Sequence, residues 1–356
     1  MVAAGCYTET SDKAALYESG VDLVLGNERK KDFVETLSAW LRDHTLPDNP
    51  DINKVQGYRP EFLTKIHEHT RAELKVQDGC NEFCSYCLIP YARGRIRSKD
   101  PEAVLREVRA LSESGIREFV LTGIHLSSYG KDLQDGGDLL ELIRRTAAIE
   151  GVERLRLGSL EPRVVTPEFA YGLAEIPEIC PHFHLSLQSG SEAVLRRMNR
   201  KYTPDEYREA LRLLRSAFSM PAVTTDVIVG FPGETDEEFR ESLDFVRESA
   251  FYELHVFQYS RRKGTVADRM PGQVPDELKK ARSAEMISLG EEMSEAFRQS
   301  FVGRTAEILT EEPDPAHPGF FEGYTREYIR ASVEAAAPGE IISGTLGFRN
   351  GRYFVD

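Results

Sequence analysis

The chain of 356 residues has no stretch approaching the ~18 consecutive apolar residues of a membrane span. It opens without the basic region, apolar core and small-residue cleavage site that direct export. Positive charge is also in short supply. Lys and Arg number 45 against 59 Asp and Glu, a net charge of −14, which excludes attachment to nucleic acid by bulk charge and leaves only a local basic patch. Five cysteines in so long a chain are too few for a disulfide framework. No solenoid repeat or low-complexity segment is present. What remains is globular in composition, 40% apolar and 29% charged, and at roughly 150 residues per domain the length suits two or three domains.

Residues 1–42 open on Met1-Val-Ala-Ala-Gly-Cys6, which reads as a strand already under way, and continue through a second strand at Val21–Leu25. A helix is predicted over Glu28–Arg42, with Phe33, Val34, Leu37, Trp40 and Leu41 on one face. So small an α/β unit cannot close a core, and a missing upstream segment is expected. Residues 43–72, with Pro47, Pro50 and Pro60, read as a linker. From residue 73 the pattern becomes regular, with strands predicted at 74–77, 118–122, 154–158, 183–188, 222–229 and 253–258. Helices with start signals lie between them, at Asp100-Pro101 and at the capping boxes Thr203–Glu206 and Thr235–Glu238. Strand–helix alternation specifies a parallel sheet with helices outside it. Six units fall short of the eight that close a (β/α)8 barrel, so an incomplete barrel open on one side is predicted over 73–298. Glu277–Ser300 is a long charged helix, and 299–356 holds five short β-rich runs that suit a small antiparallel barrel.

Ligands of parallel α/β folds bind where strands end. The first exit carries Cys80, Cys84 and Cys87, a Cys-x3-Cys-x2-Cys spacing. Structural zinc prefers four ligands in separated pairs. Three thiolates instead suit a [4Fe-4S] cluster whose fourth iron stays open to a small molecule. Zinc, and three cysteines packed by chance, are the competing readings. The other exits are Thr122–His125, Gly158–Pro162, Gln188–Ser191, Gly230–Glu234 and Gln258–Gly264. His125, His184 and His255 are read as neutral, hydrogen-bonded histidines near strand ends, and Cys180 as a buried structural thiol.

The cysteine trio, with Tyr86 just before Cys87, resembles the signature of the radical S-adenosylmethionine (SAM) superfamily, which uses a six-unit partial barrel. The resemblance implies that the open iron chelates SAM and that its reductive cleavage yields a 5′-deoxyadenosyl radical able to abstract hydrogen from unactivated C–H bonds. Candidate SAM contacts are then Tyr86, Ser159, Glu161, Gln188, Ser189, Asp226, Gly230 and Phe231, and no side-chain acid or base need act as catalyst. Ala4–Tyr7, Gly20–Asn27, Cys87–Arg95 and Leu195–Thr203, with the terminal barrel, resemble the methylthiotransferase branch, whose C-terminal RNA-binding barrel is the TRAM domain. Leu121–Gly130 is most similar to the MtaB-type enzymes, which convert N6-threonylcarbamoyladenosine beside the tRNA anticodon to its 2-methylthio form. SAM then serves as both methyl donor and radical source, and an electron donor such as flavodoxin or ferredoxin is implied. That family holds a second, auxiliary [4Fe-4S] cluster on three cysteines, of which only Cys6 has a match here. The fold expected is an incomplete α/β radical SAM barrel, (β/α)6, with a truncated N-terminal α/β domain and a TRAM-like C-terminal barrel, acting in the cytoplasm. Rival readings are a methylthiotransferase acting on isopentenyladenosine in tRNA or on a ribosomal protein aspartate, and a non-catalytic, metal-bound RNA-binding protein.

An acidic chain needs local basic surface to hold tRNA. Arg93, Arg95, Arg97 and Lys99 form one cluster without an acid, and Arg196, Arg197, Arg200 and Lys201 a second, with Arg261, Arg262 and Lys263 a third. All follow strand exits, so a basic rim around the mouth is predicted. The terminal barrel carries five Arg against nine acidic residues, and Phe320, Phe321, Tyr324 and Tyr328 are its candidate stacking or core aromatics.

Overall fold

A computed structural model of the chain describes residues 1–59, 70–134 and 137–356, so Pro60 and most of the second half of the expected linker lie outside the described residues. The first segment holds β1 (Val2–Ala4), α1 (Cys6–Thr10), α2 (Lys13–Glu18), β2 (Leu23–Leu25) and α3 (Phe33–Asp43). β1 and β2 pair in parallel and bury Leu23, Val24 and Leu25. The helix begins at Phe33 rather than Glu28, because Glu28–Asp32 wind as a 3-10 turn. Its anticipated apolar face is not buried, and Phe33, Val34 and Leu41 are exposed. Two strands of three residues offer no surface wide enough to cover it.

The central unit runs β3 (Arg71–Asp78), α4 (Ile89–Arg93), β4 (Arg97–Ser98), α5 (Pro101–Glu113), β5 (Glu118–Gly123), α6 (Leu139–Ala147), β6 (Arg154–Leu157), α7 (Pro167–Ala174), β7 (His182–His184), α8 (Glu192–Arg197), α9 (Pro204–Ala217), β8 (Ala222–Val229), α10 (Asp236–Ser249), β9 (Glu253–Gln258) and α11 (Asp276–Ser300). The anticipated caps form: Asp100 accepts from the Ala103 N–H, and Thr203 and Thr235 each close a reciprocal box with Glu206 and Glu238. β3, β5 and β6 pair in parallel, as do β7, β8 and β9, and bridges at Leu155–Ile179 and Leu160–Leu185 join the two sheets. The six predicted strands therefore make one open parallel array, with β4 added antiparallel on the β3 edge. β7 stops at His184, short of the predicted Gln188, which still bridges Val227 of β8 although its φ is left-handed at 68°.

Side chains alternate along these strands. Ala72, Leu74, Val76, Phe119, Leu121, Leu155 and Leu157 face the helices and form the main core. The alternate positions, among them Arg71, Glu118, Arg156, His184 and Asp226, carry polar groups in mutual contact. Closed (β/α)8 barrels fill this space with apolar layers. Here it is polar.

The C-terminal barrel comprises β10 (Thr305–Pro313), β11 (Phe320–Thr325), β12 (Arg330–Glu334), β13 (Ile341–Arg349) and β14 (Arg352–Val355), closed in the order β10-β11-β12-β14-β13. Its strands correct the all-antiparallel expectation at one seam, where β12 and β14 run parallel. An odd number of strands cannot close with every neighbour antiparallel, so one parallel pair is unavoidable. Asn350 and Gly351, both at positive φ (52° and 77°), make the tight hairpin that returns β14 to that place.

This barrel seats against the N-terminal ends of the parallel strands. Arg156 donates to the carbonyls of Thr325 (2.7 Å) and Arg326 (2.9 Å), and Arg154 to that of Tyr324 (3.2 Å). Both guanidiniums also bind Glu118, which is 1% exposed, at 2.8 and 3.0 Å, and Arg71 joins at 3.6 Å. Tyr328 stacks on His182 and on Tyr324, with Arg71 and Arg156 over its ring. Tyr324 and Tyr328 are thus engaged in closing the floor of the lumen.

Candidate functional site

The loop leaving β3 is turned by Gly79, whose φ is +73°. A Cβ there would lie 1.9 Å from the Arg95 carbonyl oxygen, so only glycine lets the outgoing and returning chain approach this closely. The approach is sealed by the Cys80 N–H, which donates to the Gly94 carbonyl at 3.0 Å. Gly79→Ala is therefore expected to displace Cys80 and cut the iron retained after anaerobic reconstitution by about tenfold, through local strain rather than global unfolding. Iron and sulfide analysis beside a thermal melt checks this.

Cys80, Cys84 and Cys87 are free thiols, half-buried, and each sulfur faces one donor. The Glu82 N–H points to Cys80 Sγ (3.5 Å), the Ile89 N–H to Cys87 Sγ (3.4 Å) and Arg200 Nη1 to Cys84 Sγ (3.4 Å). Burial, with the two neighbouring thiols adding to it, pushes Cys80 up to about 11, and burial also raises Cys87. Both shifts favour the protonated thiols of Cys80 and Cys87, whose protons a bound metal must displace. Among the described residues, the groups whose ligand atoms come within 4.8 Å of one another are His184–Asp226–His255 and Glu82–His125–Glu161, not the three cysteines. One zinc at about 2.3 Å from each sulfur would draw them closer than that. In a cuboidal cluster each sulfur of such a trio takes a different iron and the fourth iron stays open.

Around this loop the anticipated residues divide. Phe231 is fully buried between the ring edges of Tyr86 and Tyr259, so Tyr86 lies against the turn after β8. Gly230, at φ +69°, lets α11 pass close, since a Cβ would meet Lys279 Cγ at 2.4 Å. Its N–H donates to Glu234 (2.8 Å), itself bound by Arg282 (2.7 Å). Ser159 is exposed at the β6 exit. Glu161 accepts two bonds from Arg163, both 2.9 Å, and lies 3.5 Å from His125. Burial alone would raise its carboxyl, yet these partners hold it at about 2. Gln188 is buried, and its N–H donates to the Asp226 carbonyl (2.8 Å). Asp226 sits between His184 and His255 (3.3 and 3.2 Å), which hold its carboxyl well below the usual range against the effect of burial. Its hydrogen bond in turn raises His255.

Two further expectations are corrected. Ser189 is 1% exposed, its Oγ 2.8 Å from Ser242 Oγ and accepting from the Ser191 N–H, so it braces its own loop rather than facing the mouth. The basic rim is thinner than predicted. Arg97 is buried on Glu28 and Asp78, Arg93 Nε donates to Cys6 Sγ (3.1 Å), Arg197 forks onto Glu238, and Arg200 serves Cys84. Arg95, Arg196, Lys201, Arg262 and Lys263 remain exposed. The contact with Arg93 also brings Cys6, at the start of α1, against the helix that follows the cysteine loop. Arg163 and the cluster-facing role of Arg200 escaped sequence reading, because a basic residue after a strand exit looks the same whether it points outward or in.

A family model described as the radical SAM superfamily matches residues 74–246. The threonylcarbamoyladenosine tRNA methylthiotransferase MtaB of Bacillus subtilis is 39% identical over 330 residues, 92% of this chain and 73% of that protein. The chain belongs to the radical SAM methylthiotransferases of tRNA. A tRNA-2-methylthio-N(6)-dimethylallyladenosine synthase of Caldicellulosiruptor saccharolyticus is 41% identical over 302 residues; they cover 85% of this chain but under two thirds, 64%, of that protein. The radical SAM methyltransferase TsrM of Kitasatospora setae, solved with cobalamin and a [4Fe-4S] cluster bound, matches at TM-score 0.58 and 18% identity, over 75% of this chain and 58% of that one. That likeness concerns the fold. Members of a radical SAM methylthiotransferase family use SAM and [4Fe-4S] clusters, and the Cys-x3-Cys-x2-Cys order of Cys80, Cys84 and Cys87 suits such a cluster. Among the described residues, no helix is long and apolar enough to cross a membrane.

Proposed function

We propose that this methylthiotransferase adds a methylthio group to C2 of N6-threonylcarbamoyladenosine next to the anticodon of tRNA. The observation that carries the reading is three free thiols on one strand-exit loop beside an open polar lumen, in a chain 39% identical to a relative named for that nucleoside. Cys80, Cys84 and Cys87 hold the SAM-binding cluster. When bound, the cluster and SAM supply an electron, a methyl group and a hydrogen-abstracting radical. Arg200 and the Glu82 and Ile89 N–H groups donate to the ligating sulfurs, which favours electron acceptance there. Tyr86 and Phe231 wall one side, and Glu161, held ionised by Arg163, presents an acceptor beside the loop. Cys6, in contact with Arg93 on the helix after the cysteine loop, would supply one ligand of a second cluster. Arg95, Arg196, Lys201, Arg262 and Lys263 steer the RNA, and a small electron carrier such as flavodoxin or ferredoxin completes the system in the cytoplasm.

The reading is tested by nucleoside mass spectrometry of tRNA from a strain lacking the gene. Loss of the 2-methylthio-N6-threonylcarbamoyladenosine signal is expected. An unchanged signal with loss of the 2-methylthio-dimethylallyl nucleoside would transfer the chain to the second group of relatives. Metal analysis after anaerobic purification tests the site itself, since tightly held zinc without iron or sulfide refutes it.

A further inference from the structure

The lumen contains one titratable group that cluster and SAM chemistry leave unused. His184, Asp226 and His255 come from the adjacent strands β7, β8 and β9. Asp226 Oδ1 lies 3.2 Å from His255 Nδ1 and Oδ2 lies 3.3 Å from His184 Nε2, and the two imidazoles stack at 5.5 Å. His184 is anchored at its other nitrogen by Thr224 Oγ1, 3.0 Å away. Asp226 Oδ1 is thus held by His255 and His184 Nδ1 by Thr224, while His184 Nε2 faces Asp226 Oδ2 inside the protein, buried and short of a hydrogen bond. His255 differs. Its side chain is 51% exposed, and among the described residues its Nε2 has no partner. The carboxylate on Nδ1 fixes the ring orientation and favours the imidazolium, the form in which Nε2–H is a donor facing open space.

The ligand this donor suits follows from chemistry. A dimethylallyl chain on adenine N6 has no polar atom, and packing it on the dyad would leave the donor unpaired. A threonylcarbamoyl chain ends in a carboxylate, which can accept a charge-assisted hydrogen bond. We propose that His255 is the specificity residue of this enzyme, its Nε2–H binding the carboxylate of the threonylcarbamoyl group, with Asp226 as the positioning residue behind it. The assignment rests on the proposed substrate and adds the group that distinguishes it from the dimethylallyl nucleoside.

The test measures binding of the whole chain to three otherwise identical anticodon stem-loops, bearing adenosine, N6-threonylcarbamoyladenosine or N6-dimethylallyladenosine at the target position. The native chain is expected to prefer the threonylcarbamoyl RNA over plain adenosine by about tenfold or more. His255→Leu is expected to reduce that preference below about threefold, and His255→Lys, which keeps a cation, to retain part of it. Preference is a ratio taken on one preparation, so a general loss of binding cancels. A His255→Leu chain that keeps the native preference overturns the assignment, as does a native chain with no preference. A preference that appears only with added divalent metal and vanishes with chelator also overturns it, making the trio a metal site instead. A native chain that prefers the dimethylallyl RNA overturns the substrate reading itself.

Discussion

Replacing Cys84 with alanine is expected to abolish SAM cleavage, lowering 5′-deoxyadenosine formation by more than about a thousandfold, because the cofactor carries the chemistry and the protein's part is to hold it. Two of three ligands remain, and the Arg200 guanidinium, which donates to Cys84 Sγ at 3.4 Å, loses its anion inside the site. A guanidinium left without its partner in a buried setting repels further positive charge, so the iron that does bind should be labile as well as sparse. The measurements are the visible spectrum of the anaerobic protein and product quantitation. Cys180→Ala serves as the internal contrast. That thiol is 1% exposed and distant in sequence from the loop, and its removal costs about 1 kcal/mol of packing with SAM cleavage retained. Persistent 5′-deoxyadenosine from the Cys84 variant would refute the ligand assignment.

Glu118→Ala is expected to be the most destabilising single change in the barrel floor. Its carboxylate is 1% exposed and meets Arg156 at 2.8 Å, Arg154 at 3.0 Å and Arg71 at 3.6 Å. Burial alone would raise this carboxyl, but the three guanidiniums hold it below its ordinary value. Removing it strands buried positive charge, a loss of about 3–5 kcal/mol, or roughly 10 °C in the melting midpoint of a domain this size. The pH dependence follows from the direction of the shift. A carboxylate with a depressed folded-state value contributes its stability above the ordinary 4.5 and loses it as pH falls through the folded-state value. The native chain should therefore lose part of its stability between pH 5 and lower values, and the Glu118→Ala chain should lose less over the same range. Because Arg154 and Arg156 also carry the carbonyls of Tyr324, Thr325 and Arg326, the variant should expose the segment between α11 and β10 to protease. Equal melting midpoints would show that the network is dispensable.

The legible parts of this protein are those set by local order along the chain. Leu74 to Gln77, Glu118 to Thr122 and Ala222 to Val229 are short runs rich in apolar and β-branched residues between helical stretches, and they form strands at those places. The capping boxes at Thr203 and Thr235 act within four residues and form as read. The cysteine spacing likewise confines three sulfurs to one loop whatever surrounds it. Direction of a long side chain is another matter. Arg97 and Arg200 sit in basic runs that look like RNA-facing surface, yet one is buried on Glu28 and Asp78, and the other on Cys84. Ser189 looked as suited to a cofactor as Gln188, and it turned to Ser242. His255 gave no sign of its carboxylate partner, because Asp226 lies 29 residues before it and meets it only through strand pairing.

By itself the amino-acid order determined the strand and helix succession, the glycine turn before Cys80, the cysteine trio and the five runs of the terminal barrel, since each depends on neighbours a few positions away. Only the tertiary structure decided the parallel seam that closes an odd-stranded barrel, the seating of that barrel on Glu118 and its arginines, and which charged groups turn into the lumen. Those outcomes depend on pairing between segments far apart in the chain, where burial makes an unpaired charge so costly that partners, not sequence position, dictate where each side chain points.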